Sequence, residues 1–545
     1  MRTLVTVALL VFAICYGSTP AQQPDYTSIR AEAEKLYAEG SYSKAHDLYA
    51  RAGALGLARA ESRWVAFRLA DTLWRAQAGS KTPDSTRYDE AETALENLVR
   101  DDQREQEHDR VWAEVHESLG DFWWARNESR NLNIAWPNYQ RALDWWAGSS
   151  DINAARDRYL KIIWKVASPP SARPAYYYGN YESNVPLEVL ENALKIAQSD
   201  NDKAHLHYLV AVSFQYRGDY NQRLRVPEEF EAALAPGKST EWYDDALYRY
   251  AEWLISSGRT VRDPNGQWRQ QPDYVKALEL FRRLVDQYQK GETRYYDQAV
   301  QQIAAITSPV VGVSVPSAFL PGSEIQFGLT WRNAKTIDLA LYKIDLTRDV
   351  RFQDTNGHVA SWLQYTQLDG REKVKSQVRQ TTDNGDHTPG QEMVRLESAL
   401  PVGAYLLEAR SGSVSARDLV LVTDASLVLK TAGKQALVYF CNAIDGSPIP
   451  NADVRIWQRY NTTWYAEQAG RTNQDGLANF TLQHNGSNAE IFASAASQDR
   501  QAFADGYSYG YYANQQPWRI YAFTDRPAYR PGETAQWKLV ARRYD

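Results

Sequence analysis

His205 and His207 are the nearest this sequence comes to a metal-chelating pair. They lie two residues apart in a stretch with helical periodicity, which places them on different faces. Chelation by one helix needs an i, i+4 spacing that brings two side chains to one face. No His-Glu-x-x-His, no Gly-x-Ser-x-Gly and no phosphate-cradling glycine-rich segment occurs. Asp445, Asp453 and Asp475 lack the Asp-x-Asp-x-Asp-Gly spacing of a calcium loop, and the Asp445-Gly446 and Asp475-Gly476 pairs read as tight turns. The expectation is a chain with no catalytic, cofactor-binding or metal-binding residues. Cys441 reads as a small buried strand residue. Tyr507, Tyr509, Tyr511 and Tyr512, spaced by Gly506 and Gly510, combine aromatic contact area with flexible glycine. That composition fits a recognition loop or a crossover covering a sandwich edge.

The elements that must position these residues fall into two regimes. From about residue 25 to 306, apolar residues recur at intervals of three and four. Ala33, Leu36 and Tyr37 line one face, Gly40 breaks the chain, and Tyr42, Ala45, Tyr49 and Ala52 line the next. Leu119-Gly120-Asp121-Phe122, leading to Tyr139, Ala142 and Leu143, and Tyr216-Arg217-Gly218-Asp219-Tyr220 read as further turns of the same kind. Ala246 to Leu254, then Tyr274, Ala277, Leu278 and Phe281, then Ala299 and Ile303 close the series. The Gly-x-Tyr-x-x-Ala turn and the large-then-small alternation resemble tetratricopeptide repeats, well at 33–52 and 272–304 and loosely between. Trp64, Trp74, Trp123, Trp124, Trp145 and Trp146 are expected to fill gaps between stacked helices. Such stacking makes a curved array, a shape suited to holding a peptide or partner protein, and 25–306 is expected to fold by itself.

At Ser308-Pro309 the period changes to two. Val311, Val313 and Val315 alternate, Pro321-Gly322 turns the chain, and Ile325, Phe327, Leu329 and Trp331 alternate again, followed by Ile337, Leu339 and Leu341. The polar stretch from about 348 to 395 reads as an insertion, partly helical, before strands resume at Val402–Ala409. A second sandwich is expected over 424–518. A third unit opens at 519 and includes a half-buried strand at Thr534–Arg542, with Ala535, Trp537, Leu539 and Ala541 on one side. Because a sandwich takes about 100 residues, this third unit is expected to be truncated at Asp545.

The chain has 545 residues, 43% of them hydrophobic and 23% charged, with a net charge of −6. That length needs several cores, and that charge argues against a nucleic-acid partner. Arg2, the apolar run Leu4–Ile14 and the small residues around Ala21 resemble a cleavable export signal over 1–21. No later run suits a membrane span. Ile14 stands before Cys15 where lipoprotein processing needs a small residue, so lipidation through Cys15 is not expected. The mature chain is then exported, periplasmic or at the cell surface, with Cys441 as its single cysteine.

Thr524-Asp525-Arg526-Pro527 with Tyr529-Arg530-Pro531-Gly532-Glu533 resembles the opening of a macroglobulin domain of the alpha-2-macroglobulin family, and the similarity extends over about 310–545. The resemblance implies a multidomain chain: an all-α tetratricopeptide-like array (25–306), then all-β immunoglobulin-like macroglobulin sandwiches at 308–423 and 424–518, with the start of a third at 519–545. It also implies an endopeptidase inhibitor that traps proteases, with proteases as partners and no enzyme activity or cofactor. Many members carry a Cys-x-Glu-Gln thioester. Here Cys441 is followed by Asn442-Ala443-Ile444, and Tyr465 stands two before Glu467-Gln468, so no thioester is expected. The competing expectation is an adaptor that binds cell-envelope proteins through the helical array, with the sandwiches as spacers.

Overall fold

The computed structural model describes residues 25–100, 108–126, 130–168, 181–316, 318–352, 359–460, 463–483, 489–508, 518–524 and 534–543. An all-α array precedes antiparallel β-sheets. The described residues up to Trp253, with Ser257–Gln271, form one compact unit; Leu254–Ser256 and those from Pro272 onward form the second.

The first unit contains α1 (Tyr26–Ala38), α2 (Tyr42–Gly53), α3 (Arg59–Ala78), α4 (Ser85–Arg100), α5 (Arg110–Trp124), α6 (Leu132–Ala147), α7 (Ile152–Ala167), α8 (Leu187–Ile196), α9 (Asp200–Arg217), α10 (Tyr220–Leu224), α11 (Val226–Leu234) and most of α12 (Tyr243–Ser256). A hairpin of β1 (Arg259–Arg262) and β2 (Trp268–Gln271) completes it. Side-chain oxygens cap several starts: Asp25, Asp109, Asp151, Ser199 and Asp219 each accept a backbone N–H of the first turn. Ala33, Ala45, Ala52, Ala91, Ala113, Ala135 and Ala142 are fully buried, so neighbouring backbones approach closely where an alanine stands. Trp64, Trp74, Trp124 and Trp146 are buried between helices, as expected; Trp123 and Trp145 are half-buried.

Two expected turns come out differently. Gly218 does end α9, and Asp219 does cap α10. Gly120, however, sits inside α5. A Cβ there would lie 2.6 Å from ring atoms of Tyr139, so the glycine admits an aromatic ring into the α5–α6 contact rather than turning the chain.

The second unit opens with α13 (Tyr274–Gln287) and α14 (Tyr296–Thr307). The array was expected to extend to 306 as one body, but this last hairpin groups with the strands. Asn333 explains the attachment. It stands at φ 54°, and its Nδ2 donates to the Ile306 and Ser308 carbonyls at 2.7 and 2.9 Å, satisfying the end of α14. Arg332 donates to the Ala305 carbonyl beside it.

The first sandwich pairs β3 (Val310–Ser314), β4 (Gln326–Arg332) and β7 (Gly390–Arg395) in one sheet. Its other sheet orders β6 (Lys373–Gln380), β5 (Thr336–Ile344), β8 (Gly403–Ser411) and β9 (Val414–Val422), and a short α15 (Trp362–Tyr365) lies between β5 and β6. Ile325, Phe327, Leu329, Trp331, Ile337, Leu339, Leu341, Tyr405 and Leu407 fill the core, matching the alternation in the sequence. The stretch 348–395 is not an insertion, since it supplies β6 and β7 of the sandwich itself. Its polarity has a cause. On β6, Lys375, Gln377 and Arg379 lie opposite Leu341, Leu339 and Ile337 and so face inward at an open sheet edge. Arg379 there pairs with Glu392 of β7 at 2.8 Å. Inward-pointing charges protect an edge strand from pairing with other chains.

The second sandwich repeats this topology. One sheet is β10 (Ala425–Ala432), β11 (Gln435–Asn442) and β14 (Leu477–Thr481); the other orders β13 (Thr463–Arg471), β12 (Asp453–Tyr460), β15 (Ala489–Ser497) and β16 (Arg500–Ser508). In each sandwich the first, second and fifth strands form the smaller sheet. Gly446 and Gly476, at φ 73° and 71°, make the expected Asp-Gly turns. Beyond them, β17 (Trp518–Thr524) pairs with β18 (Trp537–Arg543).

Candidate docking surfaces

The densest polar constellation among the described residues runs through alternate helices of the first unit. Glu34 of α1 accepts from Trp64 Nε1 at 3.1 Å and from both Nε and Nη2 of Arg68 at 3.2 and 2.7 Å. Arg68 also faces Asp71, whose Oδ1 accepts from Arg75 Nε at 2.9 Å and from the Ser118 hydroxyl at 2.5 Å. Arg75 reaches across to Asp121 of α5 at 2.6 Å. Asp121 also accepts from the Tyr139 hydroxyl at 2.9 Å and from Lys165 of α7 at 2.9 Å. Lys165 and Arg158 then hold Glu117, and Arg158 and Arg110 hold Glu114.

Signs alternate along this spine, and that decides its electrostatics. Burial would raise the Asp121 carboxyl, but Lys165 and Arg75 outweigh it and hold the group down at about 2. Burial acts on Asp71 in the same way, and Arg75 and Arg68 overcome it, so this carboxyl too is lowered. The spine's charges are spent on one another, and its contribution is to set the register of α1, α3, α5 and α7. Spacing marks only the pairs within one helix, Arg68–Asp71–Arg75 of α3 and Arg110–Glu114 of α5; the links that join α1, α3, α5 and α7 into a spine come from different helices.

The histidines are parted as the spacing requires. His205 is stacked between Trp164 and Trp242, with ring centroids at 4.0 and 3.6 Å, and burial pushes its pKa well down. His207 contacts Glu229 at 2.8 Å instead. Cys441 lies buried in β11, and burial raises its thiol pKa. Tyr507 lies in β16, half exposed, and its carbonyl accepts from the Thr431 hydroxyl of β10. Tyr509, Tyr511 and Tyr512 lie outside the described residues. Of the macroglobulin motif, Thr524 ends β17 opposite Trp537; Asp525, Arg526, Pro527, Tyr529, Arg530, Pro531, Gly532 and Glu533 lie outside the described residues. No described helix is long and apolar enough to cross a membrane.

A second constellation joins the two sandwiches. Leu346, Trp362 and Leu406 of the first share one core with Trp457, Trp464 and Phe492 of the second, and Phe352 stacks on Trp464 at 3.9 Å. Gln501 Oε1 accepts from the Leu346 N–H at 2.7 Å, its Nε2 donates to the Ile344 carbonyl at 3.1 Å, and Ser494 donates to the Leu346 carbonyl at 2.8 Å. The two sandwiches thus share an aromatic core, and the backbone groups of Ile344 and Leu346 are satisfied across it.

The chain is 27% identical over 145 residues to an alpha-2-macroglobulin of Ralstonia nicotianae, a match covering 27% of this chain and 9% of that protein. Over those residues the chain is similar in sequence to an alpha-2-macroglobulin. The match thus spans under a tenth of the length of that alpha-2-macroglobulin. No family model matches the chain. Solved structures with local similarity include the MG0-NIE-MG1 domains of native Escherichia coli alpha-2-macroglobulin, at 13% identity and a TM-score of 0.26, covering 36% of this chain and 64% of that one. The TPR2AB domain of yeast Sti1 aligns at 14% identity and a TM-score of 0.17, covering 51% of this chain and 98% of that one.

Proposed function

We propose that this chain is the scaffold and docking portion of an exported endopeptidase inhibitor that traps proteases. The observation carrying this reading is the sequence similarity to the Ralstonia alpha-2-macroglobulin. The core shared by the two sandwiches supports it, since an inhibitor that changes shape around a protease needs packed bodies to move. In this reading 1–21 is the export signal, 308–423 and 424–518 are macroglobulin domains, and 519–545 begins another. The chain then has no catalysis and no thioester of its own, and it works in the periplasm or at the cell surface.

Reading the coding DNA beyond Asp545, then assaying the full gene product, tests this. A trapping product slows a protease on a bulky protein substrate and leaves its hydrolysis of a small peptide intact. Unchanged hydrolysis of both substrates by the full product rules the reading out. A stop codon at that point, with the helical unit retaining envelope proteins, favours the adaptor instead.

A further inference from the structure

The β1–β2 hairpin lies outside the helix-on-helix packing that builds the first unit, yet it carries exposed aromatic and cationic side chains. A two-stranded hairpin is marginal in water unless something holds it. Here Trp268 stacks on Tyr220 of α10, with ring centroids 6.2 Å apart and planes 9° apart. Arg262, paired directly opposite Trp268, lies 5.8 Å from the same indole. This apolar surface remains exposed: Tyr216, Tyr220, Leu224 and Trp268 are 56%, 52%, 42% and 36% exposed.

The charge of these two segments opposes that of the chain, even with Arg225 paired to Glu228 and Glu229 of α11. Residues 216–225 and 259–271 hold six arginines and two aspartates, in a protein whose net charge is −6. Both aspartates are engaged locally. Asp219 caps α10 by accepting from the Gln222 N–H, and Asp263 accepts from the Asn265 and Gln267 N–H groups of the hairpin turn. Arg223 and Arg262 have no carboxylate within ion-pair distance among the described residues, and Arg223 Nε is buried without an acceptor. Exposed Trp and Tyr beside uncompensated Arg is the composition of binding hot spots.

We propose that α10 and the β1–β2 hairpin form a docking surface for an acidic segment of a partner protein. Its carboxylates pair with Arg223 and Arg262, and an apolar side chain packs against Trp268 and Tyr220. An acidic peptide fits better than a nucleic acid because the surface offers isolated cations beside apolar area rather than a continuous basic track. This inference does not rest on the protease-trapping role.

The test uses the full chain and fluorescein-labelled peptides in a polarisation assay. One probe is a twelve-residue peptide of glutamates interrupted by leucine and phenylalanine; the others are oligoglutamate of equal charge and an oligothymidylate. The mixed peptide is expected to bind more tightly than either control. Trp268→Ala and the pair Arg223→Glu, Arg262→Glu should each weaken it by about ten-fold or more. Circular dichroism checks that the helices persist, and the arginine variants stand even if Trp268→Ala loosens the hairpin. The proposal is overturned by no binding, by equal binding of oligoglutamate, by tighter binding of the oligonucleotide, or by folded arginine variants that bind as well as the parent.

Discussion

Buried His205 between two indoles has a consequence for acid stability. Folded His205 resists protonation, its pKa lying well below the ordinary 6.5, whereas an unfolded His205 takes up a proton below that value. Each step down in pH therefore favours the unfolded state. His116, pushed down by burial to about 4, acts in the same direction between pH 6.5 and 4 and costs about 3 kcal/mol over that window. Asp121 extends the trend. Its stabilising effect is complete above its ordinary 3.8 and is lost as pH falls through about 2. The helical melt is expected to move to lower temperature from pH 7 to pH 4, and His205→Phe, which preserves the stack, should flatten that slope. Equal slopes for the parent, His205→Phe and His116→Phe would show that these rings do not govern acid stability. The spacing of His205 and His207 sufficed to exclude chelation, but the Trp164–His205–Trp242 stack draws on α7, α9 and a loop and left no local mark.

At the scale of elements, the α5–α6 contact depends on an absent methyl group. Gly120→Ala would place a Cβ 2.6 Å from the Tyr139 ring. The ring cannot withdraw freely, because its hydroxyl is bound to Asp121 at 2.9 Å. The expected loss is about 1–3 kcal/mol, seen as a lower denaturant midpoint with an unchanged slope. An unaltered midpoint would mean that the contact relaxes without strain. Residues 119–122 match the other expected turns by composition, but here glycine serves packing between helices, which composition alone does not separate from chain reversal. The same limit hid β6, where polarity on the inward face protects an edge strand and imitates a loop.

At the largest scale, the sandwich joint ties two cores of the second unit together. Phe492 is fully buried and lies within 6.1 Å, centroid to centroid, of Phe352, Trp362, Trp457 and Phe503. Phe492→Ala is expected to cost about 3–5 kcal/mol and to split the sandwiches into separate transitions in scanning calorimetry. A single transition at the parent's temperature would place the coupling elsewhere.

The succession from helical array to sandwiches was legible in the sequence, because periods of 3.6 and 2 follow from backbone geometry and each element must bury one face. Ile325, Phe327, Leu329 and Trp331 declare their strand by alternation, and Asp445-Gly446 its turn by the φ that glycine accepts. Only the tertiary structure joined Glu34 to Lys165 through four helices, set Gln501 against Ile344, and fixed Asn333 on the end of α14. Those contacts link residues far apart in sequence, and their partners are chosen by three-dimensional packing rather than by local period.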